Sequence, residues 1–244
     1  MACSLPSASR ICAARPAGAL AAVLVCLLFT AQWQRLYAQQ ERNPDAPTPR
    51  QIAPAMSWVY ADWLTRPERQ REEQPDRLVN SLDIQPGATV VDLGAGVGYF
   101  TWRLASKVGP AGKVIAVEIQ QEMLDMLAVN LRERGIENVE PVLATPQNPR
   151  LPPAAVDLVL LVDVYHELAH PALTLAHIRR SLKPAGRLVI VEYRKSQPEL
   201  PIHPLHKMSV AEVRSEVEPA GFDLEEVLEF LPSQHVIIFT PASG

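Results

Sequence analysis

From Gln85 to Thr240 the chain alternates short runs rich in valine, leucine and isoleucine with longer amphipathic runs, and turn-forming residues mark the joins. No other feature constrains the fold as much. Strand-length runs occur at "ATVVDL", "KVIAVEI", "NVEPVLA", "AVDLVLLVDVY" and "RLVIVEYR". Between the first two, "YFTWRLASKV" places Phe100, Leu104 and Val108 on one helical face. "QQEMLDMLAVNLRERG" is a second helix stopped by Gly135, "PALTLAHIRRSLKPAG" a third with a proline-glycine stop, and "SVAEVRSEVEPAGF" a fourth. "AVDLVLLVDVY" is apolar on both faces, as a central parallel strand must be. "DLEEVLEFLP" and "HVIIFT" lie either side of a short turn and read as an antiparallel pair. The pattern predicts an α/β fold: a doubly wound, Rossmann-like, seven-stranded sheet, mostly parallel with an antiparallel C-terminal strand pair.

The segments before this alternation read differently. Arg10 and Arg15 precede an apolar run from Ala17 to Ala31, which is short for a span and has the character of a signal-peptide core. Residues 1–38 are therefore expected to be a signal peptide or membrane anchor, giving a membrane-associated or exported protein. Residues 39–56 hold four prolines and read as an extended linker, with the folded domain expected over 57–244. The three cysteines, Cys3, Cys12 and Cys26, all lie in the leader, so the domain has no disulfide framework or cysteine-based metal site. A formal net charge of −4, with scattered basic residues, gives no electrostatic footprint for nucleic acid.

One motif invites a wrong conclusion. His166-Glu167-Leu168-Ala169-His170 spells the H-E-x-x-H of zinc proteases. That chemistry needs both histidines on one helical face, four residues apart. Here the letters follow a buried strand, and the next helix is expected to start at Pro171, so the histidines straddle a loop. No metal site is expected from this motif.

The first strand runs directly into "VDLGAGVGYF", with Gly94, Gly96 and Gly98. A dinucleotide fingerprint would want glycine at Tyr99, so that match fails. Asp92, just before the glycines, is unsuited to a pyrophosphate but suits a phosphate-free cofactor with a positive end. S-adenosylmethionine, which carries an ammonium and a sulfonium, is such a molecule. The glycines admit close backbone approach, Glu118 closes the second strand where ribose hydroxyls need an acceptor, and Ile119 flanks the adenine position.

"VVDLGAGVGYFTWRLA", "VIAVEI", "VDLVLLVDVYHEL" and "SLKPAGRLVIVEYR" together resemble the successive motifs of class I S-adenosylmethionine-dependent methyltransferases, over about Pro75 to Thr240. The similarity is to the small-molecule branch that includes ubiquinone and menaquinone biosynthesis enzymes, and to bacterial relatives with signal-like leaders. The resemblance implies that Asp92, Gly94, Gly96 and Gly98 line the methionine end, that Glu118 binds the ribose, and that Asp163 lies near the cofactor. Many members place an acidic residue after the third strand. This chain has Ala144 and Thr145 there, which leaves adenine recognition to Thr145 or backbone.

The loop carrying His166 and Glu167 should face the transferable methyl, so these two are the expected base or orienting groups, with Tyr193 at the neighbouring strand end. Arg194, His206 and Lys207 are expected to meet an anionic acceptor. The resulting expectation is in-line methyl transfer to a small-molecule acceptor. The alternative is a cofactor-binding or assembly protein without catalysis. An uncleaved anchor with the domain on the cytoplasmic face would reconcile the leader with the cofactor's supply. The sequence specifies neither acceptor nor oligomeric state.

Overall fold

The structure is a computed structural model that describes residues 50–243. The apolar run 17–31 and residues 39–49 of the expected linker lie outside the described residues. Residues Gln51–Gly244 form one compact unit.

A 3-10 helix, Trp58–Thr65, opens the unit and is followed by two short helices, α1 (Arg69–Glu72) and α2 (Pro75–Ser81). The alternation then runs β1 (Thr89–Leu93), α3 (Thr101–Val108), β2 (Lys113–Glu118), α4 (Gln121–Glu133), β3 (Val139–Leu143) and β4 (Val156–Val162). It continues through α5 (Pro171–Ser181), β5 (Leu182–Arg194), β6 (Lys207–Met208), α6 (Val210–Val217), β7 (Phe222–Leu228) and β8 (Gln234–Pro241). The sheet order is β3-β2-β1-β4-β5-β8-β7, with β6 paired to β5. All pairings are parallel except β5 with β8 and β8 with β7. The sheet thus has eight strands rather than seven, because the two-residue β6 adds a short parallel pairing at Tyr193 and Arg194.

Alternate residues of the central strands feed opposite layers, as the pleat requires. Val91, Val159, Leu161 and Ile190 pack with Leu175 and Ile178 of α5 and Val213 and Val217 of α6. Val90, Leu158, Leu160 and Val189 pack with Leu78 of α2 and Leu104 and Val108 of α3. Burying strands on both sides explains why β4 reads as a continuous apolar run.

Two boundaries differ from those expected. Helix α5 stops at Ser181 rather than running to the proline-glycine pair, and β5 begins at once with Leu182. Pro184 cannot extend a helix, and Lys183 is drawn to Asp157 at 2.8 Å instead. The expected linker end at residue 56 is also too late. Ala53 is buried, and its N–H donates to the His166 carbonyl at 3.2 Å. Met56 O accepts from Gln120 Nε2 at 2.8 Å, and Trp58 N–H donates to Gln120 Oε1 at 2.9 Å. Residues 51–58 therefore form a strap tied to the sheet's carboxyl edge, not a free tether.

The strand order reverses between β1 and β4. In sheets wound this way, ligands bind beyond the carboxyl ends of the strands at that point.

Candidate active site

A cavity of about 570 Å³ occupies the switch point. Asp92, Gly94, Gly96, Glu118, Ile119, Thr145, Asp163, His166, Glu167 and Tyr193, all expected at the site, line it. Gly98 does not. A Cβ there would press on Leu127 at 3.2 Å, so this glycine lets α4 pack closely and contributes nothing to the cavity wall.

Gly94 has φ +81°, and a Cβ would overlap the Val164 side chain in the loop after β4. Its absence lets the two loops at the switch point meet. Glu118 holds its position through backbone donors. Its Oε2 accepts from Gly96 N–H at 3.0 Å, while Oε1 accepts from Ile119 at 2.6 Å and Gln120 at 3.1 Å. A carboxylate fixed this way keeps further acceptor capacity for vicinal hydroxyls, which is what a ribose presents.

Asp92 accepts from the Thr101 hydroxyl at 2.6 Å. Burial, with the nearby Glu118 charge, pushes its carboxyl up to about 6 despite that bond. A positive group in the cavity would relieve this. The residues present therefore fit a cofactor with a cationic end and a ribose: a buried acid beside glycines at one point, and a fixed carboxylate at the end of β2.

The far end of the cavity is built around His166. The Glu192 carboxylate takes the His166 main-chain N–H at 3.1 Å and lies 2.6 Å from its Nδ1. That contact places the proton on Nδ1 and turns the Nε2 lone pair the other way. Burial opposes a charge on the imidazole, but Glu192, Asp163 and Glu167 outweigh it and raise its pKa. His206 Nδ1 lies 2.8 Å from His166 Nε2, and Glu167 Oε1 is 3.8 Å from each. Burial, eased by His166, pushes Glu167 up to about 7.

The H-E-x-x-H letters do not form a protease site. His166 lies in a 3-10 turn, Tyr165–Glu167, while exposed His170 stands at the N-terminal boundary of α5 with no side-chain capping bond and sits 3.2 Å from Gln147. Tyr193 points its hydroxyl at Glu73 Oε1, 3.3 Å away, and burial raises its pKa, so the phenol stays protonated and is no base. Arg194 is spent on Glu229 and the carbonyls of Pro232 and Glu229, and Lys207 on the carbonyls of Gln197 and Leu200. Neither lines the cavity, and so neither is placed to bind an anionic acceptor.

Sequence reasoning missed Arg69 and Glu73. They form a buried bidentate pair at 2.6 Å, with Arg69 also stacked 4.1 Å from the Tyr99 ring centroid, and both line the cavity. The stretch "RPERQREEQPD" looks like a solvated helix face, and nothing in its spacing marks this one pair as buried. Asp163, with φ +55°, accepts Gln234 Nε2 on both oxygens at 2.9 and 2.8 Å. Burial and the neighbouring Glu73 and Glu192 charges raise its pKa well above the usual carboxylate range.

A sheet of this order, with an acid, a glycine loop and a carboxylate closing β2, defines a class I methyltransferase domain. The methyltransferase domain family model matches residues 84–229, and the chain belongs to that family. Its fold is similar to an S-adenosylmethionine-dependent methyltransferase from Aquifex aeolicus, with TM-score 0.73 and 26% identity, covering 77% of this chain and 100% of that one. In sequence it is 30% identical over 147 residues to a ubiquinone/menaquinone biosynthesis C-methyltransferase from Shewanella, covering 59% of each chain. It is 33% identical over 133 residues to an uncharacterised 37.1 kDa protein of a Streptomyces fradiae transposon, covering 54% of this chain and 38% of that protein. The chain thus spans less than two thirds of these curated relatives. S-adenosylmethionine is the cofactor of this class.

Proposed function

We propose that the protein transfers the methyl group of S-adenosylmethionine to a small, largely apolar acceptor bearing a hydroxyl or thiol. The observation that carries this reading is the continuity of the cavity. One wall holds Asp92, Gly94, Gly96 and Glu118, and the same space reaches His166, Glu167 and His206. The intervening surface is apolar, with Ile52, Met56, Trp63, Leu64, Leu168 and Ile202.

When bound, the cofactor supplies an electrophilic methyl on a sulfonium. Glu118 would hold its ribose hydroxyls, and ionised Asp92 would favour its cationic end. The remaining work is positioning. His166, locked by Glu192, turns Nε2 toward His206 Nδ1 at 2.8 Å, in the part of the cavity where the acceptor's nucleophilic atom would sit, and the strap over residues 51–58 would limit water. Tyr193 and the Arg69–Glu73 pair form a fixed polar wall behind it. The ubiquinone/menaquinone biosynthesis relative, a C-methyltransferase, supports a small-molecule acceptor by analogy, without bearing on the accepting atom.

The test is transfer of labelled methyl from S-adenosylmethionine to a panel of phenols, alcohols, thiols and carboxylic acids by the full chain. Turnover on hydroxyl or thiol compounds that is lost in Glu192→Gln supports the reading. Saturable cofactor binding with no turnover on any of them would favour a cofactor-binding or assembly protein instead.

We further propose that the apolar run 17–31 holds the protein at a membrane with its domain facing the cofactor supply. Among the described residues no helix is long and apolar enough to cross a membrane. A reporter fused after Gly244 that is active only outside the cytoplasm would refute this orientation.

A further inference from the structure

We propose that His166, Glu167 and His206 form a binding site for a divalent transition-metal cation of the Zn²⁺ type at the acceptor end of the cavity. The inference rests on the proposed reading of that end and gives it a chemistry. The donor atoms His166 Nε2, His206 Nδ1 and Glu167 Oε1 all lie within 4.8 Å of one another. Their separations are 2.8 Å between the two nitrogens and 3.8 Å from the carboxylate oxygen to each. Ligands at about 2.1 Å from one cation, at angles between square and tetrahedral, are about 3.0–3.4 Å apart. The observed separations bracket that range, so a cation needs shifts of only a few tenths of an ångström from each ligand.

The surroundings match a metal centre in a second respect. A ligating histidine characteristically passes its other ring nitrogen to a carboxylate, which fixes tautomer and orientation. Glu192, fully buried, does this for His166 Nδ1 at 2.6 Å. The Ala53 N–H donates to the His166 carbonyl at 3.2 Å, which places one end of the strap against the site. Two imidazoles and one carboxylate select a borderline divalent ion such as zinc over calcium or magnesium. Three protein ligands leave at least one coordination position open, and here it faces the cavity, as in catalytic rather than structural sites. The letters H-E of H-E-x-x-H therefore do ligate, but with a third partner 40 residues on rather than with His170.

The open position takes the acceptor's oxygen or sulfur, whose proton is released to solvent as the cation lowers its pKa. The acceptor's lone pair then forms the bond to the methyl carbon. The carbon–sulfonium bond breaks, and its electron pair returns to sulfur to leave a neutral thioether. No oxidant or reductant is consumed.

The test uses the untagged full chain, stripped with a chelator and titrated with Co²⁺. Visible d–d absorption reports the ion's coordination, and Zn²⁺ is added as competitor. The expected result is one saturable site that Zn²⁺ displaces, lost in His206→Ala and in Glu167→Gln. Glu192→Gln should weaken it about 10–100-fold. Absence of the band in the unaltered protein, or its survival in both ligand variants, overturns the proposal. S-adenosylmethionine binding is measured on the same samples. Cofactor binding without a Co²⁺ site defeats the metal proposal alone. A Co²⁺ site without cofactor binding defeats the reading of the cofactor cleft alone.

Discussion

At Glu118 the two carboxylate oxygens accept three backbone N–H groups, one of them from the glycine loop. The side chain therefore both shapes the loop and offers its outer face to a ligand. Replacing it with alanine removes the proposed ribose acceptor and the tie to Gly96. Charge-assisted hydrogen bonds of this kind are worth about 1.5–3 kcal/mol, so Glu118→Ala should weaken S-adenosylmethionine binding about 10–100-fold. Asp92 shows the opposite balance. Burial pushes it up to about 6 from 3.8, so the folded chain binds a proton there that the unfolded chain has released. Stability from this group is present below the unfolded value and is lost as pH rises through the folded one, amounting to about 3 kcal/mol over that window. Arg69 and Glu118 are the charges that act on it, and Thr101 holds it by hydrogen bond. Thermal unfolding without cofactor should show a lower Tm at about pH 7 than at about pH 5. The drop should shrink in Asp92→Asn. Cofactor affinity should fall in the same variant, because the charge that strains the fold is the one proposed to meet the cofactor's cationic end.

Among the elements, the tight junction of β1 with the loop after β4 depends on Gly94. Its φ of +81° disfavours any L side chain, and the Val164 side chain fills the space a Cβ would need. Gly94→Ala should destabilise the fold by about 2 kcal/mol or more and reduce cofactor binding, as read by denaturant midpoint and calorimetry. The glycine loop after β1 was legible in the sequence, because an acid followed by spaced glycines after an apolar strand has few structural uses, but its contact with Val164 was not. The end of the cavity around His166 was only partly legible. His166 and Glu167 could be placed on the loop after β4 because β4 and Pro171 bound it. Their pairing with Glu192 and His206 depends on the crossing of three separate segments, which no local spacing encodes. Arg69 and Glu73 were hidden for a different reason. Burial of an ion pair is decided by what packs over it, and the surrounding charged residues look the same in the sequence whether solvated or not.

For the molecule as a whole, the compact unit starts at Gln51 rather than at Ser57. A fragment beginning at Ser57 loses the Ala53 contact to His166 and the Met56 contact to Gln120, and with them one wall of the cavity. It should fold, since both hydrophobic layers lie beyond residue 77, but bind S-adenosylmethionine more weakly than a fragment beginning at Gln51. Equal affinities would mean that the strap merely rests on the surface. The doubly wound order itself followed from the strand and helix alternation, while β6 escaped notice because two residues carry no periodicity. The claim on which everything else depends is that the cleft at the β1–β4 switch point holds S-adenosylmethionine. Its most direct test is calorimetric titration of the full chain beside Glu118→Ala. One saturable site is expected in the unaltered protein, weakened at least tenfold in the variant. No saturable heat, or the same affinity in both proteins, would contradict it.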